Sequence, residues 1–290
     1  MTRRSYLQLD VFADRPGAGN ALAVVLDGRD FDTAAMQAFA NWTNLSETTF
    51  VLPPSVPEAS YRVRIFTPKS ELPFAGHPSV GTAHAVLEAG LVQAVDGRLV
   101  QECAAGLLPI QIGGQGAART ISVRAPRGRA IAVDASALLH AALAECRLGT
   151  LEPALVNNGP SWWCVELADE LAVRTMVPRL AQLAELTQAT DAVGLAVFAR
   201  SAATDHQLVV RVFCPADGIP EDPVTGSANA AIAAHLLQNA ALGGLARRYV
   251  ANQGREVGRN GRVEVEIDED GEVWIGGQTQ TVIRGELDWL

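Results

Sequence analysis

The chain is poor in lysine: of its 23 basic residues only Lys69 is one. No run of Lys and Arg appears, and the formal net charge is −9. An acidic surface repels a phosphate backbone, so nucleic acid is not an expected partner. Four cysteines, Cys103, Cys146, Cys164 and Cys214, are widely spaced and form no C-x-x-C pair. They read as free thiols of a reducing compartment. No apolar run is long enough to span a bilayer, and Met1-Thr-Arg-Arg leads straight into a strand pattern with no apolar signal segment behind it. Together these features place the protein in the cytoplasm, away from membranes. Dinucleotide fingerprints, P-loops and nucleophile elbows are also missing. His77, His84, His140, His206 and His235 have no Cys or second His at metal-ligand spacing, so no metal is expected.

What is present is a soluble core-forming chain of 290 residues, 48% hydrophobic, long enough for two ordinary domains. Tyr6–Phe12, Ala21–Leu26, Thr48–Leu52 and Tyr61–Phe66 read as strands, the last by strict alternation. Asp32–Trp42 carries Met36, Phe39 and Ala40 at helical spacing. Gly81–Ala89 reads as an alanine-rich helix, and Leu108–Ile112 and Thr120–Arg124 as further strands. A second round follows. It has strands at Trp162–Leu167, Gly194–Phe198 and Leu208–Phe213, helices at Leu180–Thr187 and Ser227–Gln238, and a hairpin turning at Asp270-Gly271. His84 and His235 lie inside the alanine-rich helices and read as packed side chains.

An internal repeat ties the two rounds together. Gly76-His-Pro-Ser-Val-Gly-Thr-Ala-His-Ala85 can be set against Glu221-Asp-Pro-Val-Thr-Gly-Ser-Ala-Asn-Ala230. Pro78 then matches Pro223, Gly81 matches Gly226, Ala83 matches Ala228 and Ala85 matches Ala230. Phe66-Thr-Pro68 and Phe213-Cys-Pro215 precede the two copies. In this register the proline stops any earlier helix, the glycine allows close backbone approach, and a helix opens at Gly81 and at Gly226. Helix N-termini offer unpaired N–H groups to an anion, although an ordinary capped start has the same pattern. His77 and Asp222 fall in one slot of the repeat, before the proline, and are candidates to flank one substrate in a cleft between the halves. Glu47, in Asn44-Leu-Ser-Glu-Thr-Thr-Phe50, stands where a helix gives way to a strand. Taken alone it reads as a solvent-facing cap; with His77 and Asp222 it becomes a candidate acid/base. The same register sets Glu47 against Ala192, which leaves the second half without a matching base.

Several of these stretches resemble the phenazine-biosynthesis-F (PhzF-like) family. They are Asp10-Val-Phe12 with Gly19-Asn20, Asn44-Leu-Ser-Glu-Thr-Thr-Phe-Val51, Arg64-Ile-Phe-Thr-Pro68, Glu71-Leu72, Phe74-Ala-Gly-His-Pro78 and Gly81-Thr-Ala-His84. Glu221-Asp-Pro-Val-Thr-Gly-Ser-Ala228, Gln253-Gly254 and Gly258-Arg259 continue the match in order, to about Trp274. The resemblance implies an α+β fold of two pseudo-symmetric diaminopimelate-epimerase-like domains, each a curved sheet around a central helix. Residues 1–126 with a returning strand at about 277–290 would form one, and residues 127–276 the other. It implies a homodimer, no cofactor, and a proton-shift isomerase acting on a small carboxylate-bearing molecule. Carried over by position, Glu47 would be the proton shuttle, with His77 and Asp222 as catalytic partners. Asn20, Ser46, Gly76, Ser79, Gly81, Gly226 and Ser227 would line the substrate site. Ser79 stands where the family commonly has threonine, and Ala21 where it often has proline. A two-base epimerase of this fold would place a cysteine at each helix start, and neither start has one. The expectation is therefore one asymmetric shuttle, with racemisation or a non-catalytic ligand-binding dimer as the alternatives.

Overall fold

A computed structural model describes residues 3–289. The chain divides into two compact units, Met1–Arg124 with Gly276–Leu290, and Ala125–Ile275. The first unit runs β1 (Arg4–Val11), β2 (Asn20–Val25), α1 (Thr33–Thr43), β3 (Glu47–Leu52), β4 (Tyr61–Phe66), β5 (Glu71–Leu72), α2 (Gly76–Glu88), β6 (Arg98–Cys103), β7 (Gly106–Gly113) and β8 (Thr120–Arg124). The second runs β9 (Arg129–Ile131), α3 (Ser136–Ala142), β10 (Ala154–Asn157), β11 (Ser161–Glu166), α4 (Glu170–Thr175), α5 (Leu180–Ala189), β12 (Gly194–Arg200), β13 (Leu208–Cys214), β14 (Ile219–Asp222), α6 (Gly226–Gln238), β15 (Arg248–Gln253), β16 (Gly261–Ile267) and β17 (Val273–Gly277). The final strand, β18 (Thr279–Leu287), pairs antiparallel with β1.

In the first unit β1 and β2 are antiparallel, β2 and β3 parallel, β3 and β4 antiparallel, β4 and β6 parallel, and β6 and β7 antiparallel. The second unit repeats that alternation through β10, β11, β12, β13, β15 and β16. The strands follow from their side chains. In β4, Tyr61, Val63 and Ile65 are buried while Arg62 and Arg64 are half-buried between them, the alternation of a strand with one face on a core. α1 is capped by the Asp32 carboxylate, which accepts from the Ala35 N–H at 2.7 Å, and buries Met36, Phe39 and Ala40 against Phe31, Phe50 and Phe66.

Each unit is organised on one 13-residue helix, α2 or α6, buried on nearly all sides. A helix apolar all round is an interior helix. Its small residues let strands close on it. A Cβ added at Gly81 would fall 2.5 Å from Leu22 Cδ2 and 2.8 Å from Val11 Cγ2. This corrects the expected helix start. α2 opens at Gly76, and Gly81 lies inside it, packed against Leu22 and Val11. Pro78 does not stop the helix because it sits in the first turn, where no intrahelical N–H bond is lost.

The repeat register changes with it. The stretch Glu71-Leu-Pro-Phe-Ala-Gly76 opening α2 corresponds to Glu221-Asp-Pro-Val-Thr-Gly226 opening α6. Arg64 pairs with Glu71 and Arg211 with Glu221, each through two hydrogen bonds. Each guanidinium also lies over the phenylalanine two residues on, Phe66 or Phe213. His77 is therefore the counterpart of Ser227, and Asp222 the counterpart of Leu72; they do not share a slot. A longer connection, carrying the short helical turn Pro215–Asp217, separates β13 from β14 and shifts the alignment. Within this corrected register Glu47, paired with Leu22, corresponds to Gly194, paired with Trp162, in place of Ala192. The four cysteines are free thiols. Among the described residues no helix is long and apolar enough to cross a membrane.

Candidate active site

In the first unit the acidic candidate is set at the head of a strand. α1 ends on Asn44 in the left-handed conformation, φ 53°, which asparagine tolerates better than most residues. The chain reverses there, and Glu47 becomes the first residue of β3 alongside Leu22. Asn20 opens β2, is buried, and accepts from the Ser46 hydroxyl at 3.4 Å. His77 is the second residue of α2, and its Nε2 lies 3.2 Å from Glu47 Oε2, with both side chains largely shielded from water. The first unit thus brings Asn20, Ser46, Glu47, Gly76 and His77 into one neighbourhood.

Burial pushes the His77 imidazole from its usual value down to about 3. The positive end of the α2 dipole acts in the same direction. His77 is consequently neutral at physiological pH, and Glu47 faces a neutral imidazole, not a permanent cation. α2 has no side-chain N-cap, so its leading backbone N–H groups face outward from the helix end without an intrahelical acceptor. Ser79 is fully buried and already committed. It donates to the Ala75 carbonyl at 2.9 Å and accepts from Gln101 Nε2 at 2.8 Å. That use of its hydroxyl makes Ser79 a support of the helix start.

In the second unit Asp222 ends β14 and Gly226 and Ser227 open α6, which also lacks a side-chain cap. The Thr225 hydroxyl donates to Asp222 Oδ2. Gln253 donates to the Asp222 carbonyl and the Thr225 hydroxyl, both at 3.0 Å, and its Oε1 accepts from the Thr225 N–H at 3.1 Å and from Asn229 at 3.0 Å. Asn158 donates to the Ser227 carbonyl at 2.8 Å. This buried network is dense enough to fix the Asp222 carboxylate and the α6 start rigidly. Thr225, Asn229 and Gln253 were not singled out by sequence reasoning. The Gln253-Gly254 pair stood in the family motif, but its partners lie far away in the chain. Among the described residues no group of three or more His, Cys, Asp and Glu side chains could hold a metal ion.

The position equivalent to Glu47 is closed in the second unit. A Cβ at Gly194 would meet the Phe213 carbonyl oxygen at 2.5 Å, Cys214 Sγ at 2.7 Å and the Trp162 ring at 2.8 Å. No side chain fits there, so this unit holds no repeat-related base.

Comparison with known proteins agrees with this architecture. The family model described as phenazine biosynthesis-like protein matches residues 9–285. The trans-2,3-dihydro-3-hydroxyanthranilate isomerase of Pseudomonas aeruginosa is 35% identical over 92% of this chain and 91% of its own. Antisense-enhancing sequence 1 of Schizosaccharomyces pombe is 32% identical over 99% of both chains. A Bacillus anthracis phenazine biosynthesis protein of the PhzF family superposes with a TM-score of 0.82 at 26% identity, covering 99% of each chain. The fold is the α+β, epimerase-like class that these proteins share. A strand-head glutamate, an uncapped central helix and a match along almost the whole sequence thus converge, and the chain belongs to the phenazine biosynthesis-like family of isomerases.

Proposed function

We propose that this protein moves a proton between two positions of a small carboxylate-bearing substrate, with Glu47 taking and returning it. The observation that carries this reading is the Glu47–His77 pair, 3.2 Å apart and shielded from water, with the imidazole held neutral. Glu47 as a carboxylate accepts the proton of an acidic C–H: the C–H bond breaks, an O–H bond forms, and the electron pair stays on the substrate. Rotation of the protonated carboxyl toward a second carbon delivers a proton there, either the one taken or, after exchange at the carboxyl, one from solvent, and the carboxylate is restored. The sequence is redox-neutral and calls for no cofactor. His77, being neutral, offers Nε2 either as a donor to the carboxylate or as an acceptor from the carboxylic acid, so the pair remains favourable in both protonation states. Asn20, Ser46 and the Gly76 N–H are proposed to orient the substrate. Asp222, Gly226 and Ser227 are proposed to serve the same reaction from the second unit. A homodimer in the cytoplasm is part of the proposal.

The substrate of the Pseudomonas aeruginosa relative, a cyclic amino-hydroxy acid, is the natural probe. Incubated with the enzyme in D2O, trans-2,3-dihydro-3-hydroxyanthranilate is expected to isomerise and to gain deuterium at the new C–H position. A product formed without any solvent deuterium, alongside a deuterium-labelled substrate that transfers none of its own label, would overturn the shuttle. A racemase would need a second base on the opposite face, and the closed Gly194 position speaks against a repeat-related one. Chiral analysis of the product separates the two.

A further inference from the structure

The first unit contains a buried hydrogen bond that has no equivalent in the second. Thr82 on α2 donates to Thr49 on β3 at 2.9 Å, and Thr49 in turn reaches the Ala23 carbonyl on β2 at 3.4 Å. Both threonines are fully buried. At the equivalent places of the second unit stand Ile232 on α6 and Ala196 on β12, both fully buried and both apolar. The same architecture is therefore built with an apolar pair where Gly194 and Ser227 replace Glu47 and His77, and with a hydroxyl pair where Glu47 and His77 meet. The Ser79–Gln101 link behaves differently. Asn229, the counterpart of Ser79, is likewise bonded to a glutamine, Gln253, so a polar tie at that point is common to both units.

The placement of the threonines gives the bond a specific consequence. Thr49 follows Glu47 by two residues on β3, so both side chains leave the same face of the strand. Thr82 and His77 share α2. Two residues of strand advance roughly 6.6 Å and five residues of helix about 7.5 Å, but those five residues also turn the helix by about 140°, so the two contacts leave different sides of α2 and together bear on both its axial position and its rotation against β3. Elsewhere α2 is tied by Ser79 to Gln101 on β6 at 2.8 Å and by His84 to Thr281 on β18 at 3.1 Å, while toward β1 and β2 it makes apolar contacts, such as Gly81 against Leu22 and Val11. Such contacts are non-directional and tolerate sliding, whereas a hydrogen bond loses strength steeply with distance and angle.

We infer that the Thr49–Thr82 hydrogen bond is a positioning device: it sets the register of α2 on β3 and thereby the distance between His77 and Glu47. The inference rests on Glu47 acting as the proton shuttle. Neither threonine is a catalytic residue; each acts through the pair it places.

The test imports the second unit's residues, T49A with T82I, into the full-length protein. The double variant is expected to melt close to the wild type and to keep KM within about twofold while kcat falls about tenfold, since sub-ångström misplacement of a reacting group is enough for such a loss. T82S, which retains the hydroxyl, is expected to keep wild-type kcat. A readout independent of turnover is the imidazole 15N resonance of His77, which should move in T49A/T82I and stay in T82S. An unchanged kcat and an unchanged His77 resonance in the double variant would overturn the inference. So would equal losses in T82S and T82V, the variant that keeps the shape of Thr82 without its hydroxyl. Should the double variant fail to fold, the T82S and T82V pair decides. E47Q keeps the two questions apart. If E47Q turns over like the wild type, the shuttle reading fails, and the His77 resonance still decides whether the threonines position that side chain. If E47Q is inactive and T49A/T82I is fully active, only the positioning inference fails.

Discussion

The two units share an order of strands, a central helix and an arginine–glutamate tie, yet they diverge at the positions where chemistry would occur. Glu47 in the first unit is matched by Gly194 in the second, and His77 by Ser227. Trp162 and Phe213 fill the space a side chain at Gly194 would need. The second unit instead builds a hydrogen-bonded carboxylate, Asp222, that the first lacks, because Leu72 stands there. The architecture is repeated and the chemistry is not. A symmetric pair of bases suits removal of a proton from one face and delivery to the other. One base, with a differently equipped second unit, suits transfer along a single face.

Several substitutions would break or sharpen that contrast. H77Q removes the neutral imidazole from Glu47 and is expected to lower kcat about a hundredfold, within the range of a lost acid–base partner, as steady-state kinetics on the probe would show; a loss under twofold would leave Glu47 acting alone. G194A places a Cβ against the Phe213 carbonyl and should destabilise the protein by about 2 kcal/mol, measured by denaturant unfolding. An unaffected G194A would mean that the second unit can after all accept a side chain at the Glu47 position. D222N keeps the shape of the Thr225 contact but changes the charge, and about a tenfold fall in kcat/KM is expected, against no change if Asp222 only supports the fold. The remaining contrast is in stability against pH. His77 binds its proton near 6.5 when unfolded and near 3 when folded. The unfolded state therefore holds more protons between those values. Stability from this group is fully present above about pH 6.5 and is lost as pH falls toward 3, at up to about 1.4 kcal/mol per pH unit. The slope of unfolding free energy against pH should be shallower in H77Q by that amount, and parallel slopes would show that the buried imidazole is already protonated.

Much of this was legible in the sequence because it is local. The alternation of Tyr61–Phe66 and the spacing of Met36, Phe39 and Ala40 report their own burial. The three motifs that hold Glu47, His77 and Asp222 are likewise each a run of consecutive residues. The start of α2 is less legible, because a proline reads as a stop in the sequence, whereas the first turn of a helix has no N–H bond for it to break. A helix begun at Gly81 instead of Gly76 puts the repeat out of register and sets His77 against Asp222 instead of Ser227. A better match, Glu-x-Pro-x-x-Gly at Glu71 and Glu221, was in plain view, but its importance lies in the ties from Glu71 to Arg64 and from Glu221 to Arg211, seven and ten residues away. The Thr225–Gln253 network and the plugging of Gly194 by Trp162 depend on contacts 28 or more residues apart, which no local pattern encodes.

The most direct measurement is the turnover of E47Q on the probe in D2O, beside the wild type and with melting temperature as a control. Glutamine preserves the size of the side chain and removes its ability to hold a transferable proton. A correctly folded E47Q that loses about a thousandfold in kcat, with no deuterium entering the remaining substrate, is the expected result. Turnover and deuterium incorporation within twofold of the wild type would contradict a single shuttle at Glu47.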